Sequence, residues 1–361
     1  MKLSSNVYRI GLIENGARSE LTEYEPEPDV PNLEKVRGYL EAFYHLCAIE
    51  DWEGASKIYT GEISFTQKAF YRQLQTWGYY KELISISLQV SNFAHKIGDR
   101  QRECIALGRL GFAYYNLGEY AQAIDYHLQR LSIAREMGNR GEEGSALGGL
   151  GLTSSDLGAY QQAIEYHLQR LNIAREVGNR WGESSALSGL GLAYHGLSKC
   201  QQAIEYHLQA LAISHEIGDR RGEGQDLGNL GIAYQHLNER QYALDYYLQY
   251  LTIAREIGDR RGEGIALGNL GEAFIHLERY SESLEKLQLA LEICKAIGDR
   301  PGEAEVYKHF ANLHHQMGQL QLAREFCQQA LAIALELGIP LAQDCQTLRD
   351  KLEEEPNVSN S

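Results

Sequence analysis

The sequence predicts an all-α solenoid, a right-handed superhelix of stacked helical hairpins, and three observations carry that reading. The first is a period. The triplet Gly-Asp/Asn-Arg recurs every 40 residues, at Gly98-Asp99-Arg100, Gly138-Asn139-Arg140, Gly178-Asn179-Arg180, Gly218-Asp219-Arg220, Gly258-Asp259-Arg260 and Gly298-Asp299-Arg300. Self-similarity at a spacing of about 20–50 residues marks a chain whose units bury their apolar faces only against neighbours. The second is that apolar residues between triplets fall at the 3–4 spacing of a helix, in two runs per period. The third is punctuation, with an Asp or Asn able to cap the first helix of each unit and a glycine closing its second.

Residues 1–30 hold Glu20, Glu23, Glu25, Glu27 and Asp29 among prolines and too few apolar side chains for a packed element, so they read as a flexible acidic tail. Residues 31–97 lack the period but keep helical spacing and read as two divergent hairpins. Residues 98–338 are six 40-residue units. In the unit from Asp219 to Gly258, Asp219 caps a first helix and Glu223 lies in its first turn, where the helix dipole favours negative charge. Leu227, Leu230, Ala233, Tyr234 and Leu237 form its apolar stripe. Asn238-Glu239 breaks the pattern where sister units place Gly118, Gly158 and Gly318. A second helix carries Ala243, Leu244, Tyr247, Leu248, Leu251, Ala254 and Ile257, and Gly258 closes it. Residues 339–354 read as a capping helix opened by Pro340, and 355–361 as a second flexible tail.

The chain has 361 residues, a net charge of −15 and an isoelectric point near 5.3. Nucleic acid is a poor partner for it, because such binding neutralises phosphates with a basic stripe. Anionic membranes are disfavoured for the same reason, and no apolar run approaches the ~18 residues of a spanning helix. Six scattered cysteines without a C-x-x-C pair read as helix-packing residues in a reducing compartment. With no apolar leader after Met1, the expected location is cytoplasmic.

Leu227-x-x-Leu230-Gly231-x-x-Tyr234 followed by Ala243-x-x-x-Tyr247 resembles the tetratricopeptide (TPR) signature. Leu107, Leu110, Gly111, Tyr114, Ala123 and His127 repeat it, as do Leu187, Leu190, Gly191, Tyr194, Ala203 and His207. The ordinary unit has 34 residues; six more here would lengthen the second helix by about 1.7 turns. This variant, with text such as Ala163 to Arg180, is similar to the repeats of spindle-orientation adaptors of the Pins/LGN type and to TPR arrays of bacterial signalling proteins. The stretches from His45 to Trp52 and from Trp77 to Tyr80 resemble what precedes the bacterial arrays, which favours that group. The resemblance implies a TPR α-solenoid whose first helices line a concave groove that takes a protein or peptide.

Departures limit what carries over. No G-x-x-x-x-G-K-[ST] phosphate loop occurs, so NTPase activity does not follow. The GoLoco motifs of the spindle adaptors are absent. Where chaperone-binding TPRs hold a Lys/Asn carboxylate clamp, this chain has Gly108, Gly148, Gly228 and Gly268, then Phe112, Leu152, Leu192 and Ile232.

Tempting motifs dissolve into the repeat. Gly148-Gly149-Leu150-Gly151 looks like a phosphate loop, yet glycines in its register recur in mid-helix, where each costs about 1 kcal/mol relative to alanine. Close helix packing offsets that cost. His127, His167 and His207 lie one hairpin apart, too far to share an ion with bonds near ~2 Å. Arg100 and its five successors each precede a glutamate by three residues, the spacing of a solvated ion pair in a capping turn. No catalytic constellation, cofactor site or metal-ligating set stands out, and the chain reads as non-enzymatic.

What varies between units is the informative part. One stripe of the first helices reads Phe112, Leu152, Leu192, Ile232, Glu272, Asn312. One turn later come Tyr115, Ser155, His195, Gln235, Ile275, His315, and beside them Asn116, Asp156, Gly196, His236, His276, Gln316. Asn229 and Asn269 match an asparagine that many TPR proteins aim at a peptide backbone. The candidate groove is thus Phe112, Tyr115, Leu152, Leu192, His195, Asn229, Ile232, Gln235, His236, Asn269, Glu272, His276, Asn312 and His315, apolar at one end and polar at the other. The expected function is a scaffold that binds a partner peptide or helix. The alternative is a regulatory sensor for a small signalling peptide, against which stands the lack of a recognisable DNA-binding or phosphatase segment. Oligomeric state is not written in the sequence.

Overall fold

A computed structural model describes residues 31–63 and 66–354. The two tails expected at 1–30 and 355–361 lie outside the described residues. Among the described residues there are eighteen helices and one isolated antiparallel bridge, Glu62 to Ala69. Consecutive helices pack in pairs as a TPR-like α-solenoid. The chain divides into two compact units, Met1–Ile173 and Ala174–Ser361.

The first unit holds α1 (Asn32–Lys35), α2 (Arg37–Ala48), α3 (Trp52–Thr60), α4 (Phe70–Thr76), α5 (Tyr80–Ile97), α6 (Arg100–Asn116), α7 (Tyr120–Glu136), α8 (Arg140–Asp156) and most of α9 (Tyr160–Glu176). Its leading helices share a core around Phe43, Tyr59, Ile63, Phe70 and Leu74. Trp52 stacks on Phe93 with ring centroids 5.0 Å apart. The second unit holds α10 (Arg180–Gly196), α11 (Cys200–Ile217), α12 (Arg220–His236), α13 (Arg240–Glu256), α14 (Arg260–His276), α15 (Tyr280–Ile297), α16 (Arg300–Gln316), α17 (Leu320–Leu337) and α18 (Leu341–Glu354). Cys345 and Leu352 of α18 are fully buried, and Arg324 donates to the Leu352 carbonyl at 2.7 Å. All six cysteines are free and buried.

The repeated residues do local work. Asp219 accepts the Gly222 amide at 3.0 Å, and Asn179 accepts that of Gly182 at 2.9 Å, so each satisfies an orphan donor of its helix start. Gly98 and Gly218 end their helices at φ 73° and 71°, a conformation that disfavours any residue with a Cβ. First helices of the periodic units run 17 residues and second helices 17 or 18, so length is not concentrated in the second helix.

Mid-helix glycines are seats for the partner helix. A Cβ on Gly111 would lie 2.6 Å from the His127 ring, on Gly151 2.6 Å from His167, and on Gly191 2.4 Å from His207. The same register sets Gly231 against Tyr247 and Gly271 against Leu287, at 2.3 and 2.4 Å. In the last unit the small Cys327 stands in the ring's place, and the seat is Ala311, both of them buried. His127 is wedged from a second side by Gly149. Burial, with the Arg130 charge beside it, holds the His127 imidazole down to about 4; burial and Arg170 hold His167 down to about 3.

The glutamates of the capping turns are not solvated. Glu103, Glu143, Glu183, Glu223, Glu263 and Glu303 are all buried. Glu143 accepts Arg140 at 2.7 Å from its own turn and Arg135 at 2.9 Å from the preceding helix. Glu183 joins Arg180 and Arg175, and Glu263 joins Arg260 and Arg255, in the same way. Burial alone would raise the Glu143 and Glu183 carboxyls, but their paired guanidiniums outweigh it and hold both below the ordinary range. The second-helix stripe is also narrower than the sequence pattern. Leu248 and Ile257 are exposed, at 43% and 41%, while Tyr250 and Ile253 turn inward. Leu237, at 41%, likewise lies outside the core.

Two measurements test these packing arguments. Gly231→Ala is expected to destabilise by about 1–3 kcal/mol through overpacking, despite alanine's better helix propensity. In a Tyr247→Cys background, which copies the Ala311–Cys327 pairing, the same change should become neutral or stabilising in urea denaturation. For the histidine, the depressed folded value means that the unfolded chain binds the proton first. Stability from His127 is therefore full above its unfolded value of 6.5 and is lost as pH falls toward about 4. His127→Leu, which copies the seating of Leu287 over Gly271, should flatten the fall in melting temperature across that window.

Candidate partner-binding face

The variable stripe lies on the first helix of each hairpin, along the edge left by the buried Leu-Gly register. In the first unit, Phe112 is half-buried, its ring edge-on to Tyr80 at 6.2 Å. Tyr115 donates to Asp156 at 2.6 Å, which ties the end of α6 to the end of α8. Leu152 is exposed at 41%.

In the second unit, Leu192 is exposed, and Asn229, Ile232, Asn269 and Asn312 are half-buried on α12, α14 and α16. His195 and His236 meet edge to face with ring centroids 4.7 Å apart. Gln235 donates to Glu272 at 2.9 Å and accepts the Tyr247 hydroxyl at 3.1 Å. Burial would raise the Glu272 carboxyl. His309 at 3.9 Å, the Gln235 hydrogen bond and Lys308 outweigh that, so it stays below the ordinary carboxylate range and charged at neutral pH.

Glu272, His276, Asn312 and His315 converge on one open pocket of this unit, with Ile275 between them. Its rim adds Arg240 and Tyr280 from second helices and Lys351 from α18. These three were not among the residues singled out from the sequence. Arg240 had a signal, since it opens its helix where Tyr120, Tyr160 and Tyr280 open theirs; its guanidinium donates to the His276 carbonyl. Lys351 had none, because it belongs to the non-repeating end.

One buried cluster has the residue types of a hydrolase triad. Ser188 donates to Asp226 at 2.8 Å, and His207 Nδ1 lies 3.0 Å from the same carboxylate oxygen. The carboxylate stands between hydroxyl and imidazole, so the imidazole has no contact through which to activate the serine. Asp226 and His207 are also sealed from solvent. The cluster packs α10, α11 and α12 together.

Capped antiparallel pairs joined by left-handed turns and glycine seats define a helical-repeat protein. The tetratricopeptide repeat profile matches residues 102–176, 182–256 and 263–336, well over half of the sequence, and the chain belongs to the tetratricopeptide repeat family. Comparison with curated proteins finds no match. Among solved structures, the chain is similar to a signal transduction ATPase with numerous domains carrying a TPR sensor, from Pyrococcus horikoshii. That likeness has 16% identity and a TM-score of 0.61, over 89% of this chain and 48% of that one. It is also similar to the apo form of RapI (15% identity, TM-score 0.57, 88% of this chain and 99% of that one). A Rap protein complexed with Competence and Sporulation Factor aligns with 13% identity and a TM-score of 0.55, over 90% of this chain and 99% of that one. The chain thus spans about half the length of the ATPase. At these identities the likeness is one of fold. No described helix is long and apolar enough to cross a membrane.

Proposed function

We propose that the chain is a non-enzymatic interaction scaffold that binds a partner peptide or helix along the variable face of its first helices. The observation that carries this reading is the contrast between what repeats and what does not. Residues needed once per unit are engaged in helix caps, or buried in seats and glutamate clamps. The stripe that varies between units is half-buried or exposed except at Ile275, and in the second unit six of its members, Glu272, Ile275, His276, Asn312, His315 and Gln316, line one open pocket. A mixed rim of Arg240, Lys351, Glu272 and Glu278 around Ile275 suits a segment with an apolar side chain flanked by polar backbone or charged groups. Asn269 and Asn312 supply amides able both to donate to and to accept from a peptide backbone.

The test is affinity capture from the native cell with the wild-type chain and an Asn269→Ala plus Asn312→Ala variant of unchanged melting temperature. A single stoichiometric protein partner, with recovery at least tenfold lower on the variant, is expected. Retention of only a short peptide would instead establish the sensor reading, and equal recovery by both proteins would remove the face from consideration.

A further inference from the structure

The end of α10, the start of α11 and the end of α12 bring His195, Cys200 and His236 together, with one ligand atom from each within 4.8 Å of the others. We propose that these three side chains bind a divalent transition-metal ion of zinc type, held by one thiolate and two imidazoles with a fourth position open. Four features of the chain support the site.

The first is the donor set. Cysteine sulfur and imidazole nitrogen are the preferred ligands of zinc, which takes four of them as a tetrahedron. With bonds of about 2.3 Å to sulfur and about 2.0–2.1 Å to nitrogen, ligand atoms of such a site lie roughly 3.3–3.6 Å apart. Closing by about one ångström is within reach of a side-chain adjustment, and His236 is exposed and so unconstrained on its outer side.

The second is an unpaired atom. His195 Nε2 is buried from solvent and has no hydrogen-bond partner. Buried polar nitrogens are ordinarily satisfied, and a metal bond is one way to satisfy this one.

The third is singularity. In the first unit the equivalent positions are Tyr115, Tyr120 and Asp156, which contact one another through a ring pair at 5.8 Å and a hydrogen bond. Here all three change together, to two imidazoles and a thiol. No other unit carries a thiol or more than one imidazole at these positions. A repeat that merely drifted would not be expected to place three soft ligands at one junction.

The fourth is the local charge. Cys200 is the first residue of α11, where the helix dipole favours an anionic ligand. The nearest cation in sequence, Lys199, has its ammonium over the Tyr194 ring at 5.8 Å. The left-handed turn at Ser198 (φ 58°) puts Cys200 back under His195.

The experiment is titration of the chelator-treated, full-length protein with Co2+, read by absorbance, and with Zn2+, read by calorimetry. One equivalent per chain is expected, with a thiolate-to-cobalt charge-transfer band and the d–d absorption of a four-coordinate ion. Cys200→Ser should abolish the charge-transfer band, and His195→Ala should weaken binding at least tenfold. Cys294→Ser, at a buried thiol outside the cluster, should leave both unchanged. Zn2+ should raise the melting temperature of the wild type and not that of Cys200→Ser, a linkage readout that also shows the variant is folded. Absence of the charge-transfer band in the wild type, or its survival in Cys200→Ser, overturns the site. Asn269→Ala plus Asn312→Ala leaves these ligands intact, so loss of partner capture and loss of metal are separate results.

Discussion

Everything in the periodic region depends on one close approach. Two helices of a hairpin can bury a ring between their backbones only if one of them offers no side chain there. Glycine in mid-helix gives up about 1 kcal/mol of propensity, and the chain accepts this at Gly111, Gly151, Gly191, Gly231 and Gly271. The exception explains the rule. Where the inserted residue shrinks to Cys327, the seat becomes Ala311. Seat and occupant change as a pair, so packing volume, and not a phosphate or a catalytic loop, is what these glycines serve.

The second constraint joins one hairpin to the next. A left-handed glycine and a capping Asp or Asn turn the chain in three residues, and at Glu143, Glu183 and Glu263 a buried glutamate then takes an arginine from each side of the turn. An exposed ion pair at that spacing contributes a few tenths of a kcal/mol. A buried carboxylate fastened by two guanidiniums is a different object, since removal of either partner would strand charge in a desolvated site. Arg135 and Arg140 on Glu143, and Arg255 and Arg260 on Glu263, thereby fix the angle at which a new hairpin starts.

Most of this was legible in the sequence. The period, caps, closing glycines and the packing role of His127, His167 and His207 follow from spacing alone. The clamps were half legible: the pair three residues on is visible, but the arginine eight residues before the glutamate lies across a turn, where helix-spacing rules do not reach. The exposure of Leu248 and Ile257 was missed for a related reason. A helix in a solenoid is covered by its own partner and by the next hairpin, so its buried sector is set by two neighbours, and Tyr250 and Ile253 take the place that a single-stripe reading assigns to Leu248. The candidate face was legible as variation, while its pocket was not, because Arg240 and Lys351 reach it from other elements.

Variation in such an array has a physical meaning. Each unit is stabilised by its own seat and by nearest-neighbour contacts, so a residue outside those contacts can change without unsettling units further along. The fold alone therefore says little about function, and the informative positions are those where several free residues depart together. At the α6–α8 junction, Tyr115, Tyr120 and Asp156 satisfy one another. At the α10–α12 junction, the same positions hold His195, Cys200 and His236, and a buried nitrogen is left without a partner. The scaffold does not need this second arrangement, since its sister junction manages with phenols and a carboxylate. A chemical purpose specific to that one hairpin is the simplest physical account of three ligand-type residues meeting where the repeat asks for none.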